Sequence, residues 1–392
     1  MKKNIMAQIE VGYSLNEYLD RVYDKSSSER SRATARTSIK HFEIFCKHEK
    51  MSVNQVIEQF RTWIKENDFQ SVYIFLDKWI SFMSKDHDDV EMVSFFGKDI
   101  TTLKKHGPRT IRVYFAFTKS WLRMCHKIRL LQEDIADYVQ FPKVIQEQRK
   151  PLDVETIKLI LENCSKKRRC LYLVLLSSGM RIGEALALRR KHFDLNSDPC
   201  KVTIPAGITK TKTGRESYIS SEAKRLLLKI INDKEDKFKT RHEKKDLTEE
   251  DKKYLDNERV FGTYDEIYRA VVNEGQRFGK LRRSINLTEK YEDSPRNTVT
   301  IHTFRRFFHT KASNKHGSDY ANAMDGHSGY LKQYYALDEQ ERIKKYKELE
   351  PHLLIYSSVT ETAKDKKITE MEKEMSKMKA KMARLEDMYE IK

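Results

Sequence analysis

Apolar residues recur every three or four positions through most of residues 12–140, which is the spacing of amphipathic α-helices. The stretch SRATARTSIKHFEIFCKH carries one such stripe, at Ile39, Phe42, Phe45 and Cys46. The stretches VYIFLDKWISFMSK and RTIRVYFAFTKSWLRMCHKIRLL show the same spacing. We therefore predict a nearly all-helical first domain at residues 1–140.

The helical period ends in YVQFPKVIQEQRKPLD, where Pro142 and Pro151 bracket a polar, basic stretch. Prolines that flank a segment without apolar periodicity are typical of interdomain linkers. We predict a linker at 141–151 and a second domain at 152–358.

The second domain begins where Asp153 precedes a new amphipathic stretch. Helices are predicted at 154–165, 168–177 and 182–191. The stretch PCKVTIPAGITKTKTGRESYIS alternates as a β-hairpin does, with Lys-Thr-Gly at its turn, and the highly charged residues 233–257 predict a solvated helical excursion or loop. The expected fold class is mainly α with a small antiparallel β-sheet (α+β).

The C-terminal stretch has a heptad pattern between residues 368 and 388. Its apolar positions are Ile368, Met371, Met375, Met378, Met382, Leu385 and Met388. This spacing predicts a coiled coil at 364–392, although methionine specifies oligomeric state poorly. The alternative is a single helix packed on the second domain of the same chain.

The formal net charge of the 392-residue chain is +17, and 34% of its residues are charged. Such a basic excess favours a polyanionic partner, of which nucleic acid is the commonest, although a merely lysine-rich surface would also produce it. We expect no membrane association and no secretion, because no apolar run approaches about 20 residues and the N-terminus lacks a signal-like apolar region.

The five cysteines form no CxxC pair, and the twelve histidines lack metal-ligand spacing. An odd number of unpaired thiols is typical of proteins in a reducing compartment, where cysteines serve as apolar side chains. We therefore expect neither disulfides nor a bound metal, and no cofactor.

The stretch SSGMRIGEALAL places a cation where a helix is expected to begin. Ser178-Gly179 ends one helix, and Arg181 is expected in the first turn of the next. A cation opposes the helix dipole there unless a phosphate binds at the same end of the helix. Glu184, three residues later, could orient Arg181. The alternative is an arginine that only faces water.

The stretch VTIHTFRRFFHTKAS places His302 and Arg305 on one helical face, with Phe304, Phe307 and Phe308 on the other. An imidazole beside a guanidinium on a rigid helix could bind a phosphate and transfer a proton. The alternative for His302 is a half-buried structural histidine.

Basic side chains on other elements are further candidates for contacts with DNA phosphates. On the hairpin, Lys210 and Lys212 could reach into a groove, and a lysine with a lowered pKa can donate a proton. The helical candidates are Arg30, Arg32, Arg36, Lys40, Arg109, Arg112 and Lys119. A merely solvated helix face is the alternative for each of these.

The order of these pieces resembles the catalytic domain of tyrosine recombinases, the phage integrase family. SSGMRIGEALAL is similar to the first-arginine motif, TKTGRESYIS to the β-hairpin lysine motif, IHTFRRFFHT to the HxxR box and DGHS to the second-histidine motif. The helical N-terminal region resembles, less specifically, the core-binding domain of the family. The long gap before the HxxR box and the GYL after GHS resemble archaeal and archaeal-virus integrases most.

The resemblance implies a reaction without metal or cofactor, in which a tyrosine attacks the scissile phosphodiester and forms a 3′-phosphotyrosine. Arg181 and Arg305 would stabilise the phosphate charge, with Glu184 supporting Arg181. Lys212 would protonate the leaving 5′-oxygen, with Lys210 as the second choice. His302 would accept the tyrosine proton, and His327 would donate a hydrogen bond to the phosphate.

The nucleophile is expected in DGHSGYLKQYYALDEQE, which contains three tyrosines. Tyr330 follows His327 too closely to reach the same phosphate. The spacing of the family counted from His327 favours Tyr335, whereas counting back from the EQERIKKY helix favours Tyr334. We predict Tyr334, with Tyr335 as the alternative, because adjacent residues on a helix lie about 100° apart and only one can face the phosphate.

The resemblance also implies a double-stranded DNA recombination site as partner, four protomers on DNA and a place in the cytoplasm of a prokaryotic host, associated with its DNA. Contacts between protomers could run through 368–388. The alternatives are a non-catalytic DNA-binding or architectural protein derived from a recombinase, and a topoisomerase-like relaxase. Integration, excision, resolution and transposition cannot be separated by these motifs.

Overall fold

A computed structural model describes the chain except for residues 1–11, 89, 91–92, 96–97, 101, 145–150, 263, 265, 292–295, 328–336 and 357–392. The chain divides into two compact units, Met1–Glu147 and Gln148–Lys392. Each unit has its own cluster of buried apolar side chains.

The first unit is helical apart from one short hairpin. Its elements are α1 (Leu15–Ser26), α2 (Glu29–His48), α3 (Val53–Lys65), α4 (Phe69–Met83), β1 (Val93–Phe95), β2 (Lys98–Ile100), α5 (Pro108–His126) and α6 (Gln132–Tyr138). Ser14 and Ser52 begin α1 and α3 as N-caps whose hydroxyls accept a backbone N–H, and both form capping boxes. The predicted stripe of α2 is buried against Trp79 of α4 and Trp121 of α5.

The antiparallel pair β1–β2 was not predicted. It pairs Val93 with Ile100 and Phe95 with Lys98 inside a region expected to be nearly all helix. Three-residue strands are too short to show an alternating pattern that differs from a helical one.

The second unit packs helices around a three-stranded antiparallel sheet. Its elements are α7 (Val154–Glu162), α8 (Lys166–Ser178), α9 (Ile182–Ala187), β3 (Phe193–Asp194), β4 (Cys200–Ile204), β5 (Arg215–Ile219), α10 (Ser221–Arg241), α11 (Glu249–Asn257), α12 (Ile267–Ser284), α13 (His302–His316), α14 (Ser318–Met324) and α15 (Glu339–Leu349). Every residue of α8 from Cys170 to Ser178 is buried, so this helix forms the centre of the core. Burying one leucine contributes roughly 1.5–3 kcal/mol, which makes such a helix a strong organiser of the unit.

The predicted hairpin is present as β4 and β5, in the register Cys200 with Ile219 and Ile204 with Arg215. A third strand, β3, extends the sheet in the order β3-β4-β5. The predicted class, mainly α with a small antiparallel sheet, is confirmed.

One predicted helix differs in extent, and the charged segment 233–257 takes one of its two predicted forms. The helix predicted at 182–191 ends at Ala187, because the extended Leu188 offers its carbonyl to the Val260 N–H rather than to a further helical turn. The charged residues 233–257 are the end of α10 followed by α11, so the helical interpretation holds there. The predicted coiled coil at 364–392 lies outside the described residues.

All five cysteines are free, and Cys46, Cys170 and Cys200 are buried. Burial raises the pKa of the Cys46 and Cys200 thiols to about 12, so both stay protonated at neutral pH. Within the ranges that the structure describes, no helix has the length and apolar content needed to span a bilayer.

Candidate active site

The turn after α8 carries the first predicted arginine. Gly179 ends the helix at φ 65°, where a Cβ atom would lie 2.3 Å from a ring carbon of Phe308 and 2.7 Å from Oδ1 of Asp325. Only glycine fits this close approach in the left-handed region. Arg181 then adopts an extended conformation as the N-cap of α9, one residue before the helical turn in which it was expected.

Arg305 is placed by the apolar face of α13. Phe304, Phe307 and Phe308 are almost fully buried, and Arg305 itself is 6% exposed. Its Nη1 donates a hydrogen bond to the Gly179 carbonyl at 2.6 Å, and its Nη2 donates to the Asp325 carbonyl at 2.5 Å. Burial lowers the pKa of Arg305 to about 10, so the guanidinium stays charged at neutral pH.

Arg181 contacts the same carbonyl oxygen as Arg305. Its Nη1 lies 3.5 Å from the Asp325 carbonyl and 3.1 Å from Oε1 of Glu184. The two arginines come from elements more than 100 residues apart in sequence, yet both donate to one main-chain oxygen. The structure therefore brings together Arg181, Glu184 and Arg305, as the sequence analysis expected.

Glu184 is buried between two arginines. Its side chain is 2% exposed and accepts from Nη2 of Arg215 at 2.7 Å, in addition to the bond from Arg181. The Arg181 N–H also donates to Oε2 at 2.9 Å. Burial alone would raise the pKa of Glu184, but the hydrogen bonds and charges of Arg215 and Arg181 outweigh it and lower the pKa below its usual value.

Arg215, the first residue of β5, was not predicted as a site residue. Its guanidinium is 1% exposed and also donates from Nε to the Met324 carbonyl at 3.1 Å. Gly326, at φ 77°, lies against it: a Cβ there would be 2.7 Å from Nη1 of Arg215. One feature of the sequence could have pointed to Arg215: it is a charged residue directly after the Lys-Thr-Gly turn, on a strand whose other residues are mostly buried.

Asp325 is the first residue of the DGHS motif and was not predicted as a site residue. Its Oδ2 lies 2.9 Å from Nδ1 of His309 and 3.7 Å from Nη2 of Arg305. Its Oδ1 is buried and has no hydrogen-bond partner among the described residues. The carboxyl group thus adds a second acid to a cluster of three arginines.

His302 is the first residue of α13, and its side chain is exposed to solvent. Partial desolvation and the charges of Arg305 and Arg306 lower its pKa below the usual value. A neutral imidazole at physiological pH can accept a proton.

The two candidate lysines lie at the tip of the β4–β5 hairpin. Lys210 and Lys212 are exposed, and Lys212 has a φ of 55°. The buried Thr209 organises this tip, since its hydroxyl donates to the Ala206 carbonyl and accepts from the Thr213 N–H. In the part of the chain that the structure describes, neither lysine side chain forms a hydrogen bond or an ion pair.

His327 follows the turn after α14, where its N–H donates to the Asn322 carbonyl at 2.9 Å, and its side chain is exposed. Tyr330, Tyr334 and Tyr335 lie outside the described residues.

The predicted DNA-contacting residues of the first unit fall into two groups. Arg30, Arg36 and Arg109 are exposed and have no acidic partner among the described residues. The others have neighbours: Arg32 with Asp20, Lys40 with Glu43, Lys119 with Gln132 and Arg112 over the Phe141 ring.

Residues 150–341, just under half of the chain, match the phage integrase family. The chain is similar to a tyrosine recombinase XerC of Chlamydia trachomatis serovar L2, with 33% identity over 98 residues, or 24% of this chain and 31% of that protein. A XerC of Chlamydia caviae is 27% identical over 137 residues, or 31% of this chain and 44% of that protein. The chain thus spans less than half the length of these curated relatives, and both come from bacteria, which lends no support to the archaeal likeness.

Two solved structures are similar to the chain at low sequence identity. A XerA recombinase is 14% identical with a TM-score of 0.34, covering 85% of this chain and 98% of that one. A lambda integrase dimer bound to a COC′ core site is 12% identical with a TM-score of 0.41, covering 85% and 79%. At such TM-scores, neither structure defines the fold of this chain. Residues 150–341 thus match the phage integrase family, and the curated relatives that the chain resembles are tyrosine recombinases.

Proposed function

We propose that the protein is a site-specific DNA recombinase or integrase, which cuts and rejoins DNA through a 3′-phosphotyrosine intermediate. The observation that carries the proposal is the convergence of Arg181 and Arg305 on the Asp325 carbonyl. A phosphate clamp needs two fixed cations close together, and this contact supplies both within a phage integrase family domain.

The arginines keep donors for a phosphate. A guanidinium carries five N–H groups, and Arg305 spends one on each of two carbonyls. The cluster has three guanidinium groups, of Arg181, Arg215 and Arg305, against the carboxyl groups of Glu184 and Asp325. An excess of fixed positive charge stabilises the charge that develops on the non-bridging oxygens of the transition state.

The proton transfers are assigned to residues around this clamp. As the tyrosine oxygen bonds to phosphorus, the bond from phosphorus to the 5′-oxygen breaks. His302, with its lowered pKa, accepts the tyrosine proton. Lys212, or Lys210 in second place, protonates the leaving 5′-oxygen, and the hairpin carrying them has to approach the phosphate when DNA binds. His327 donates a hydrogen bond to the phosphate.

Tyr334 is the proposed nucleophile, with Tyr335 as the alternative. Both tyrosines lie between His327 and Leu337, which are the nearest described residues on either side. His327 precedes Tyr334 by seven residues. The flanking arginine cluster and the family spacing support one of these two hydroxyls.

The proposed partner is a double-stranded DNA recombination site. In the first unit, the exposed Arg30, Arg36 and Arg109 are the strongest candidates for phosphate contacts. A basic side chain that is already paired within the protein has to give up that contact to bind a phosphate, so it adds less to the affinity for DNA. The proposal also includes four protomers on two duplexes, contacts between protomers through 368–388, a prokaryotic cytoplasmic location and the narrower likeness to archaeal integrases.

The test is capture of the covalent adduct. The purified chain is incubated with a randomised duplex library that carries nicks, so that the short fragment next to a cleavage site diffuses away and religation fails. A 3′-phosphotyrosine adduct survives denaturing detergent and is destroyed by protease, and sequencing of the trapped strands identifies the site.

The controls separate the alternatives. Arg305→Ala should abolish the adduct while the protein still binds DNA. A topoisomerase-like relaxase would relax supercoiled plasmid through an adduct without giving recombinants from the trapped site. Tight DNA binding without any adduct would contradict the enzymatic function and favour the architectural alternative.

A further inference from the structure

The turn after α14 connects several proposed site residues through its main chain. Asp325 N–H donates to the Ala321 carbonyl, Gly326 N–H to the Ala323 carbonyl and His327 N–H to the Asn322 carbonyl, each at 2.9 Å. The Asp325 carbonyl receives both clamp arginines, and His327 follows two residues later. A small shift of this turn would therefore move Arg181, Arg305 and His327 together.

The side chain of Asp325 ties the turn to α13 through His309. Oδ2 of Asp325 and Nδ1 of His309 are 2.9 Å apart, and the Asp325 side chain is 4% exposed. His309 lies four residues after Arg305, so both point from one face of the same helix. The buried phenylalanines of the same helix, Phe304, Phe307 and Phe308, anchor it in the core.

The Asp325 carboxyl group has a competing partner. Nη2 of Arg305 is 3.7 Å from Oδ2, beyond a hydrogen bond, while Oδ1 is buried without a described partner. A buried acceptor without a partner costs free energy, so the carboxyl group would rotate towards Arg305 if nothing held it. His309 is the described side chain that hydrogen-bonds this carboxyl group.

We propose that His309 is a positioning residue: it fixes the Asp325 turn and keeps the Asp325 carboxyl group from pairing closely with Arg305. Without His309, the carboxyl group takes up a donor of Arg305 and offsets the charge meant for the scissile phosphate. The inference rests on the proposed function and concerns the same site. It assigns no contact between His309 and DNA.

Three variants test the role of His309. His309→Ala removes the hydrogen bond, and His309→Asn restores a donor close to the position of Nδ1. The matched control is His316→Ala on the same helix, since His316 also makes one hydrogen bond, to the Lys345 carbonyl at 2.8 Å, away from Asp325. Duplexes trapped by the unmodified protein serve as substrates, once with a normal phosphodiester and once with a neutral methylphosphonate at the scissile position.

On the phosphodiester, His309→Ala should slow adduct formation roughly tenfold to a hundredfold, while half-site affinity changes less than about twofold. The neutral methylphosphonate has no non-bridging charge to clamp, so the same variant should be slowed much less on it. His309→Asn should recover most of the rate, and His316→Ala should match the unmodified protein. Equal slowing on both substrates, or no slowing, would overturn the proposal.

A second readout does not depend on activity. Hydrogen exchange of the peptide covering residues 318–327 should be faster in full-length His309→Ala than in the unmodified protein, and close to normal in His309→Asn. Unchanged exchange would overturn the positioning role even if activity fell. If the unmodified protein forms no adduct with any duplex, the proposed function fails, and the exchange data still decide whether His309 holds the turn.

Discussion

Replacing Arg215 with alanine should lower the stability of the second unit and leave that of the first unit unchanged. Arg215→Ala leaves the Glu184 carboxylate, which is 2% exposed, without its bonds from Nη1 at 3.3 Å and Nη2 at 2.7 Å. It also leaves the Met324 carbonyl without the bond from Nε. Removing one partner of a buried ion pair costs about 3–5 kcal/mol, because the other charge stays buried.

The loss should lie at the lower end of that range, about 3 kcal/mol in the free energy of unfolding, because Arg181 still donates twice to Glu184. Adding Glu184→Gln to Arg215→Ala removes the uncompensated charge, so the double variant should be more stable than Arg215→Ala alone. The stability of Arg215→Lys should lie between those of the unmodified protein and Arg215→Ala, because an ammonium group cannot form the bidentate contact with Glu184.

Urea unfolding of the full-length chain measures these losses. Far-UV ellipticity follows both units, whereas Trp63, Trp79 and Trp121, the three tryptophans of the chain, report the first unit only. The shift should therefore appear in ellipticity and leave the tryptophan transition unchanged. The matched control is Lys166→Ala, which breaks the exposed pair with Asp233 at 3.0 Å and should cost less than about 1 kcal/mol. An Arg215→Ala loss no larger than that of the control would refute the reasoning.

Three further predictions concern other parts of the chain. Burial and the charge of His106 lower the pKa of His41 to about 3. As the pH falls, His41 is therefore protonated in the unfolded state before it is protonated in the folded state. The first unit should lose about 1.4 kcal/mol per pH unit as the pH falls from about 6.5 towards 3, and His41→Phe should flatten this slope in tryptophan fluorescence. Gly326→Ala, at φ 77° against Arg215, should lower stability and adduct rate together. Gly275→Ala, in the interior of α12 with open space around it, should leave the adduct rate unchanged and raise stability by up to about 1 kcal/mol. Deleting 364–392 should weaken multimer assembly on DNA, seen by light scattering, and leave half-site binding intact; unchanged assembly would make that segment dispensable for protomer contacts.

The parts of the fold that follow from local patterns could be predicted. The hairpin around Lys212 and the helix from His302 each have a periodicity that a short window shows, and the phenylalanines of α13 are buried as their spacing requires. The pair β1–β2 is too short for such a pattern. The end of α9 depends on a bond from Val260, which lies more than 70 residues further along the chain.

The part of the candidate site that consists of charged side chains could be predicted from the sequence. Arg181, Glu184 and Arg305 do come together. Their meeting point is a main-chain carbonyl of Asp325, which has no signature in sequence because every residue has a carbonyl. Arg215 was missed for a related reason: its partner Glu184 is 31 residues away, and a buried ion pair between strand and helix depends on the tertiary fold.

The most direct test of the central claim is identification of the residue that carries the DNA. After capture of the adduct, protease digestion and mass spectrometry locate the nucleotide on a peptide, with separate Tyr334→Phe and Tyr335→Phe variants as controls. A 3′-linked nucleotide is expected on Tyr334, lost in Tyr334→Phe and kept in Tyr335→Phe; the reverse result would move the nucleophile to Tyr335. An adduct on a residue outside this tyrosine pair, or no adduct on DNA that the protein binds, would contradict the account.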